Sequence, residues 1–424
     1  MDIQRKSLAN NTLMLFLLTG SNYVFGLITV PYLTRVLGAD LYGQIGFGSA
    51  FYTIALLFLD FGFLLSGTLE IAKCGDDRDS IERVYSAVLS AKVMVAIPVT
   101  IVASVIILFV DRFNTDPVFY FWWYFYAVSN SMVPDFLYRG LENMSSVTIR
   151  NVIVKAVFAA CIFLFVQSHS QYMLVPVFHF VGAAVALIIM YVHVRNHLGL
   201  HVRKVPFRDV WDQVKKSSLY FLSRIAGTVF SSMNTMVLGF IAPTGPTLGY
   251  YTATNTAIHA GQQAITPVTG SLFPNIVRTK NYKMVLKVAF WGEVILISGC
   301  VAVAIIAEPL CIFVFGPEYA GMTSMLRIML PMIPITLLTY LFGWAGLGSM
   351  GKDVVTNVSV IVGAVFHASV LAVLFLFGYL DVYTMCIATV ATQMLILAIR
   401  AFAFVKGLLD LKRRSSSAGV ESLW

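Results

Sequence analysis

The chain has 424 residues, of which 58% are hydrophobic and only 12% charged, with a mean hydropathy of +0.81. That composition excludes a water-soluble domain of this length and fits a polytopic membrane protein. A net charge of +8 would suit a nucleic-acid binder, but the basic residues fall in short loops and tails, where they orient spans and meet anionic headgroups. The expected partners are therefore membrane lipids and no nucleic acid.

Arg5 and Lys6 precede an apolar run from Leu13 to Leu33, and about 20 such residues cross a ~30 Å hydrocarbon core as a helix. Its length and the lack of a small-residue cleavage site predict a retained first span, not a signal peptide. Runs at 44–66, 87–110, 118–138, 150–168 and 173–194 complete six spans, and runs at 217–242, 249–273, 285–307, 323–344, 355–377 and 383–405 supply six more. Between the two sets lies the longest polar stretch between apolar runs, Arg195 to Lys216, holding Arg195, Arg203, Lys204, Arg208, Lys215 and Lys216 against Asp209 and Asp212. The expected division is an N-terminal six-helix bundle over 1–194, a basic linker over 195–216, a C-terminal six-helix bundle over 217–405 and a tail over 406–424.

Positive charge near span ends stays cytoplasmic. One set of alternating connections holds Arg5, Lys6, Lys73, Arg78, Arg83, Arg139, Arg150, the six of the linker, Arg278, Lys280, Lys283, Lys287, Lys352, Lys406, Lys412, Arg413 and Arg414; the other holds Arg35 and Arg112. This asymmetry predicts an even number of spans with both termini in the cytoplasm. Several identities also recur at one offset of 206: Gly43 with Gly249, Gly140-Leu141-x-x-Met144 with Gly346-Leu347-x-x-Met350, and Asn151-Val152-x-Val154 with Asn357-Val358-x-Val360. A duplication with an even number of spans per copy predicts two like-oriented bundles related by a pseudo-two-fold axis along the membrane normal. The expected class is an all-α protein of twelve transmembrane helices.

Three lookalikes carry no function. Gly346-x-Gly348-x-x-Gly351 spells a dinucleotide fingerprint and nearly a phosphate loop, but it follows no strand, and Asp353 stands where a phosphate loop needs Ser or Thr. The glycines are expected to turn between spans ten and eleven. His193, His197 and His201 align at helical spacing, yet Gly199 interrupts them and Arg195 and Arg203 flank them. Asn-x-Ser/Thr matches at Asn10, Asn143 and Asn357 fall toward the cytoplasmic side. The five cysteines form no C-x-x-C pair, so neither a disulfide nor a metal framework is expected. No connection is longer than the linker itself, which leaves no room for a catalytic domain and points away from an enzyme.

The spans hold polar residues that lipid would penalise. Span eight carries Thr252, Asn255, His259, Gln262, Thr266 and Thr269 at three- and four-residue spacing, which places them on one helical face. Span one shows Thr19, Asn22, Gly26 and Thr29, span four Ser129-Asn130-Ser131, and span seven Ser231, Ser232 and Asn234. Charges within spans face a partner or a cavity. The cations are Lys92, Lys155, Arg224, Arg327 and Arg400, and the acids Asp60, Asp135 and Glu293. Either the acids pair with the cations, or one of them exchanges a proton or sodium ion. A cavity with more cations than acids favours an anionic substrate, and Asn, Gln, Thr, Trp122, Trp123, Tyr250 and Tyr251 suit sugar hydroxyls and ring faces. Prolines within spans, such as Pro98, Pro134 and Pro267, mark bending points of the kind alternating access needs.

Pro31-Tyr-Leu-Thr-Arg35-x-Leu37-Gly38-x-x-x-Tyr42-Gly43, Asp60-Phe-Gly62, Arg139-Gly140-Leu-Glu142-x-Met144, Gly249-Tyr-Tyr-x-Ala253, Leu272-Phe-Pro274 and Phe315-Gly316-x-x-Tyr319 together resemble the polysaccharide-export branch of the multidrug/oligosaccharidyl-lipid/polysaccharide exporter superfamily, and within it Wzx-type O-antigen flippases. The resemblance runs over about residues 1–410 and implies a bacterial inner-membrane protein. It implies movement of undecaprenyl-diphosphate-linked O-antigen repeat units to the periplasmic leaflet for lipopolysaccharide synthesis, with an O-antigen polymerase and a chain-length regulator as further partners. It also implies that Arg224 and Lys155 attract the diphosphate while Asn22, Asn234, Asn255, His259 and Gln262 meet the sugars. No cofactor is expected beyond an H+ or Na+ gradient, for which Asp60, Asp135 and Glu293 are the coupling candidates. The alternative is a cation-coupled multidrug antiporter of the same superfamily, which would want carboxylates in its cavity.

Overall fold

The computed structural model describes the backbone over Asp2–Ser417. Side chains are described from Gly20 onward apart from Ser21–Val24, Leu27, several positions between Ser223 and Asn275, Lys412 and Arg414–Ser417. The fold is all-α, with no strand among the described residues, and helix occupies most of each of the twelve apolar runs. Among the described residues, eight helical stretches are long and apolar enough to cross a membrane. The chain forms two compact units, Met1–Gly249 and Tyr250–Trp424.

The first unit begins with α1 (Asp2–Asp60), in which Gly38 at φ 73° and ψ 177° breaks the helix between the first two runs. Glycine takes that backbone without the Cβ clash that bars other residues. Next come α2 (Phe63–Lys73), α3 (Arg78–Phe109), the single turn α4 (Asp111–Asn114) and α5 (Pro117–Met132). Span four then splits, because Pro134 forces Val133 into extended backbone and ends α5 before α6 (Asp135–Gly140) starts. The unit continues through α7 (Met144–Phe165), α8 (Leu174–Asn196) and α9 (Phe207–Ile241), the last packed on α1, α2 and α3. The expected C-terminal bundle begins at 217, within α9, whereas the contacts of α9 lie in the first unit.

The interior of this unit is apolar and aromatic around Phe63, Tyr85, Phe136, Tyr138, Val147 and Met190. The outer face is apolar as well: Ile97, Ile101 and Val105 on α3 are 59%, 61% and 51% exposed. An apolar outer stripe is stable where the surroundings are hydrocarbon and unstable in water.

The polar stretch 195–216 is tied down at the end of α2 and the start of α3. Arg83 donates Nε to Asp209 Oδ2 at 2.7 Å and Nη2 to Oδ1 at 3.0 Å, and the Arg203 backbone N–H donates to Ser86 Oγ at 2.9 Å. Hydrogen bonding from Arg83 holds the Asp209 carboxyl below the usual carboxylate range. Lys73 and Lys216 share Glu70 at 2.8 and 2.5 Å.

The second unit holds most of α10 (Thr247–Ala264), then α11 (Thr266–Thr279), α12 (Tyr282–Ile305), α13 (Ala307–Phe315), α14 (Thr323–Met329), α15 (Met332–Tyr340), a π-helical segment Leu341–Leu347, α16 (Asp353–Leu376) and α17 (Val382–Ser417). Two expectations are corrected here. Span eight is not one helix: it is divided at Ile265, two residues before Pro267, so Thr266 and Thr269 belong to α11 and the other four polar positions to α10. Arg150, placed with the loop cations, is buried within α7. The glycine-rich segment does turn, with Gly351 at φ 71°.

Candidate functional site

Within the first unit, α1, α5, α7 and α8 surround a cavity of about 320 Å³. Asn143 starts α7 by accepting from the Ser146 N–H at 3.4 Å. From that start Arg150, Asn151, Val154, Lys155 and Phe158 follow one another down the helix stripe that lines the cavity. Trp123, Tyr126 and Asn130 line it from α5 at the same helical spacing, and Phe178, His179 and Gly182 from α8.

The wall is aromatic and held by mutual packing. Tyr52 stacks on Tyr126 at 4.2 Å, Phe158 stacks on His179 at 4.0 Å, and His179 lies 4.9 and 5.3 Å from Tyr126 and Trp123. Asn130 donates Nδ2 to Tyr52 Oη at 2.6 Å, and Asn151 donates Nδ2 to the Val147 carbonyl at 3.0 Å.

Charge at the wall is positive. Arg150 is neutralised by Asp135, with contacts of 2.5 and 3.1 Å. Lys155 is half-buried and has no carboxylate within ion-pair distance among the described residues. The cavity wall carries no acid, so Lys155 is its unneutralised charge.

Arg224 is elsewhere in the unit, on α9, where it donates to Asp60 at the end of α1. Lys92 approaches the same carboxylate at 3.8 Å and donates to the Ser131 carbonyl at 2.6 Å. Asp60 thus serves two cations from two other helices. The turn that follows it is fixed: Phe61 at φ 44° and Gly62 at φ 81° let α2 start, and Phe61 stacks on Phe221 at 4.6 Å. Asn234 is also buried on α9.

In the second unit Gln262 is buried and donates Nε2 to Thr336 Oγ1 at 2.9 Å, which is interhelical packing. Asn255 is half-buried and His259 exposed on α10. Glu293 Oε1 on α12 is buried without a hydrogen-bond partner. Arg400 is buried and held by Ser359 Oγ, the Thr339 carbonyl and the Thr356 carbonyl at 2.8, 3.0 and 3.0 Å. The side chain of Asn22 lies outside the described residues. No group of metal-ligating side chains occurs among the described residues; His193 and His197 stack at 4.7 Å, and His193 Nδ1 meets Tyr138 Oη at 2.8 Å.

The structure therefore brings Lys155 to a cavity together with Trp123 and Asn130, and gives Arg224, Asp60, Asp135 and Gln262 partners of their own. His179 and Asn151 join the wall without having been site candidates; a histidine inside the apolar run 173–194, well before His193 at its end, was the available signal for the first, and Asn151 was read only as part of the internal repeat.

Residues 8–280 match the family described as polysaccharide biosynthesis protein. The chain belongs to that family. A relative from Escherichia coli (strain K12) described as "Putative O-antigen transporter" is 27% identical over 350 residues, covering 81% of this chain and 84% of its own. One from Shigella dysenteriae with the same description is 25% identical over 391 residues, covering 91% and 97%. Among solved structures, the lipid II flippase MurJ in an inward closed conformation aligns with a TM-score of 0.69 at 10% identity, over 94% of this chain and 89% of that one. An inward-facing multidrug resistance MATE family transporter of the MOP superfamily aligns with a TM-score of 0.67 at 14% identity, over 96% of each chain. The structural likeness shows a fold shared with these two proteins. All four are described as transporters or flippases, in line with the expectation that this family member is not an enzyme.

Proposed function

We propose that this protein is a flippase for undecaprenyl-diphosphate-linked O-antigen repeat units. It acts in the bacterial inner membrane with both termini cytoplasmic and moves the headgroup to the periplasmic leaflet by alternating access. The observation that carries this reading is Lys155: an unneutralised cation on a spanning helix, at the wall of a cavity lined with aromatic rings and amides. Burying such a charge is costly unless a ligand or water meets it, and the O-antigen descriptions of the relatives supply a ligand class of matching chemistry. The lipid tail stays in the bilayer while the headgroup crosses.

Arg224 is the cation that meets the diphosphate in this scheme, exchanging Asp60 for the ligand while Lys92 remains on Asp60. Coupling to an H+ or Na+ gradient falls to Glu293, because Asp60 and Asp135 are held by cations whereas Glu293 Oε1 is buried and unbonded. An O-antigen polymerase and a chain-length regulator act downstream. The cation antiporter reading is disfavoured, since the cavity wall has two cations and no carboxylate.

The test is the lipid-linked oligosaccharide pool of a deletion strain. Repeat units accumulating on the inner leaflet with no polymer outside is the expected result; normal polymer at the surface would overturn the assignment.

A further inference from the structure

We propose that the cavity of the first unit is a subsite for one carboxylate-bearing sugar ring, of the hexuronate class, within the substrate's glycan. This deepens the flippase reading and rests on it. Size comes first: ligand pockets run from roughly 300 to 1,000 Å³, and a cavity of about 320 Å³ is at the small end, room for a single ring and not for a repeat unit.

The hydrogen-bonding character of the wall then separates a sugar from a phosphate. Asn130 and Asn151 each commit one Nδ2–H to a protein oxygen, which leaves each amide an Oδ1 acceptor with no hydrogen-bond partner among the described residues and one further N–H, the acceptor–donor pair that a sugar hydroxyl satisfies. An amide oxygen can receive a hydroxyl proton, but it repels a fully ionised diphosphate, which has none to give. The rings of Tyr126 and Phe158 at the wall suit the C–H face of a pyranose.

Lys155 supplies the last constraint. Arg150 already has Asp135, so one net positive charge faces the cavity, and a carboxylate on the ring is the substituent that neutralises it with a charge-assisted hydrogen bond. A neutral hexose would leave the ammonium uncompensated.

The experiment is saturation-transfer NMR on the full-length protein in lipid nanodiscs, with methyl β-glucuronide, methyl β-glucoside and inorganic pyrophosphate as probes. The glucuronide is expected to bind about tenfold or more tighter than the glucoside, the margin of one charge-assisted bond. Lys155→Gln is expected to remove that margin and Lys155→Arg to keep most of it, while pyrophosphate displaces nothing. Equal binding of the two glycosides, absence of glucuronide binding, or displacement by pyrophosphate that depends on Lys155 would each overturn the proposal. The wild-type comparison needs no variant, so misfolding of Lys155→Gln leaves it decisive. If the deletion strain accumulates repeat units while glucuronide fails to bind, the subsite is wrong and the flippase reading stands; if no repeat units accumulate, the flippase reading fails first.

Discussion

Asp60 and Arg224 stand 164 residues apart in the chain and meet in an ion pair that fastens α9 to the end of α1. Each charge alone would be costly within a span. Lys92, at 3.8 Å from the same carboxylate, makes the arrangement unequal: Asp60 serves two cations, whereas each cation leans on one acid and Lys92 also has the Ser131 carbonyl.

Removal of the shared acid is therefore expected to cost more than removal of either cation. Asp60→Asn strands Arg224 and Lys92 together, and breaking a buried pair from one side costs about 3–5 kcal/mol. Arg224→Gln leaves Asp60 with Lys92, so its loss is smaller, and Asp60→Asn/Arg224→Gln falls no lower than Asp60→Asn alone. Thermal unfolding midpoints of the full-length protein in detergent give the ranking. A midpoint lower for Arg224→Gln than for Asp60→Asn would mean that Asp60 is not the hub.

Gly62 tests the turn beside that hub. Its φ is +81°, and a Cβ there would stand 2.7 Å from the Ser217 carbonyl oxygen and 2.8 Å from the Phe221 nitrogen, both backbone atoms of α9. Gly62→Ala carries a left-handed backbone penalty and a clash that no side-chain rotation relieves, about 1–3 kcal/mol for the conformation alone. Gly75→Ala also has a positive φ but open space around it, and is expected to lose less. Equal midpoints for the two variants would show that α9 yields at this contact.

Most of the architecture was legible in the sequence because bilayer-spanning helices announce themselves by composition and length, and helix occupies most of each run between Leu13 and Val405. Charge pairing was only half legible. Asp60, Asp135, Lys92 and Arg224 each stand out as charges in apolar runs, but which meets which depends on contacts between helices far apart in the chain. Span eight reads as one helix because helical periodicity does not register that a new helix starts at Thr266. The cavity was the least legible part: Phe158, His179 and Tyr126 are ordinary aromatic residues in sequence, and only the packing of α5, α7 and α8 makes them a wall.

Acid should loosen the polar end of the first unit through Asp209. Arg83 holds the folded-state carboxyl below its ordinary value, so this pair contributes stability that is fully present above the unfolded value near pH ~3.9 and is lost as pH falls through the folded one. Asp209→Asn should lower the midpoint at pH 6 and narrow its gap from the wild type as the pH is taken downward. A gap that stays constant to the lowest pH tolerated would show that the carboxylate's charge contributes nothing there.

Gly43 and Gly249, related by the offset of 206 in the internal repeat, also touch, since the first residues of α10 still belong to the first unit. A Cβ on Gly43 would stand 2.7 Å from the Gly249 nitrogen, and one on Gly249 would overlap the Ala39 carbonyl oxygen. Backbone meets backbone at this contact within the first unit, so an added methyl group must move backbone atoms, whereas at Gly227 and Gly270 it meets nothing within 4 Å. Overpacking typically costs about 1–3 kcal/mol where side chains can adjust, and Gly249→Ala is expected at or above the top of that range. Gly227→Ala and Gly270→Ala should leave the midpoint close to wild type. If Gly249→Ala also melts with the wild type, the backbone at Gly249 can move away from Ala39 without loss, and the missing side chain at this contact is not what the local packing depends on.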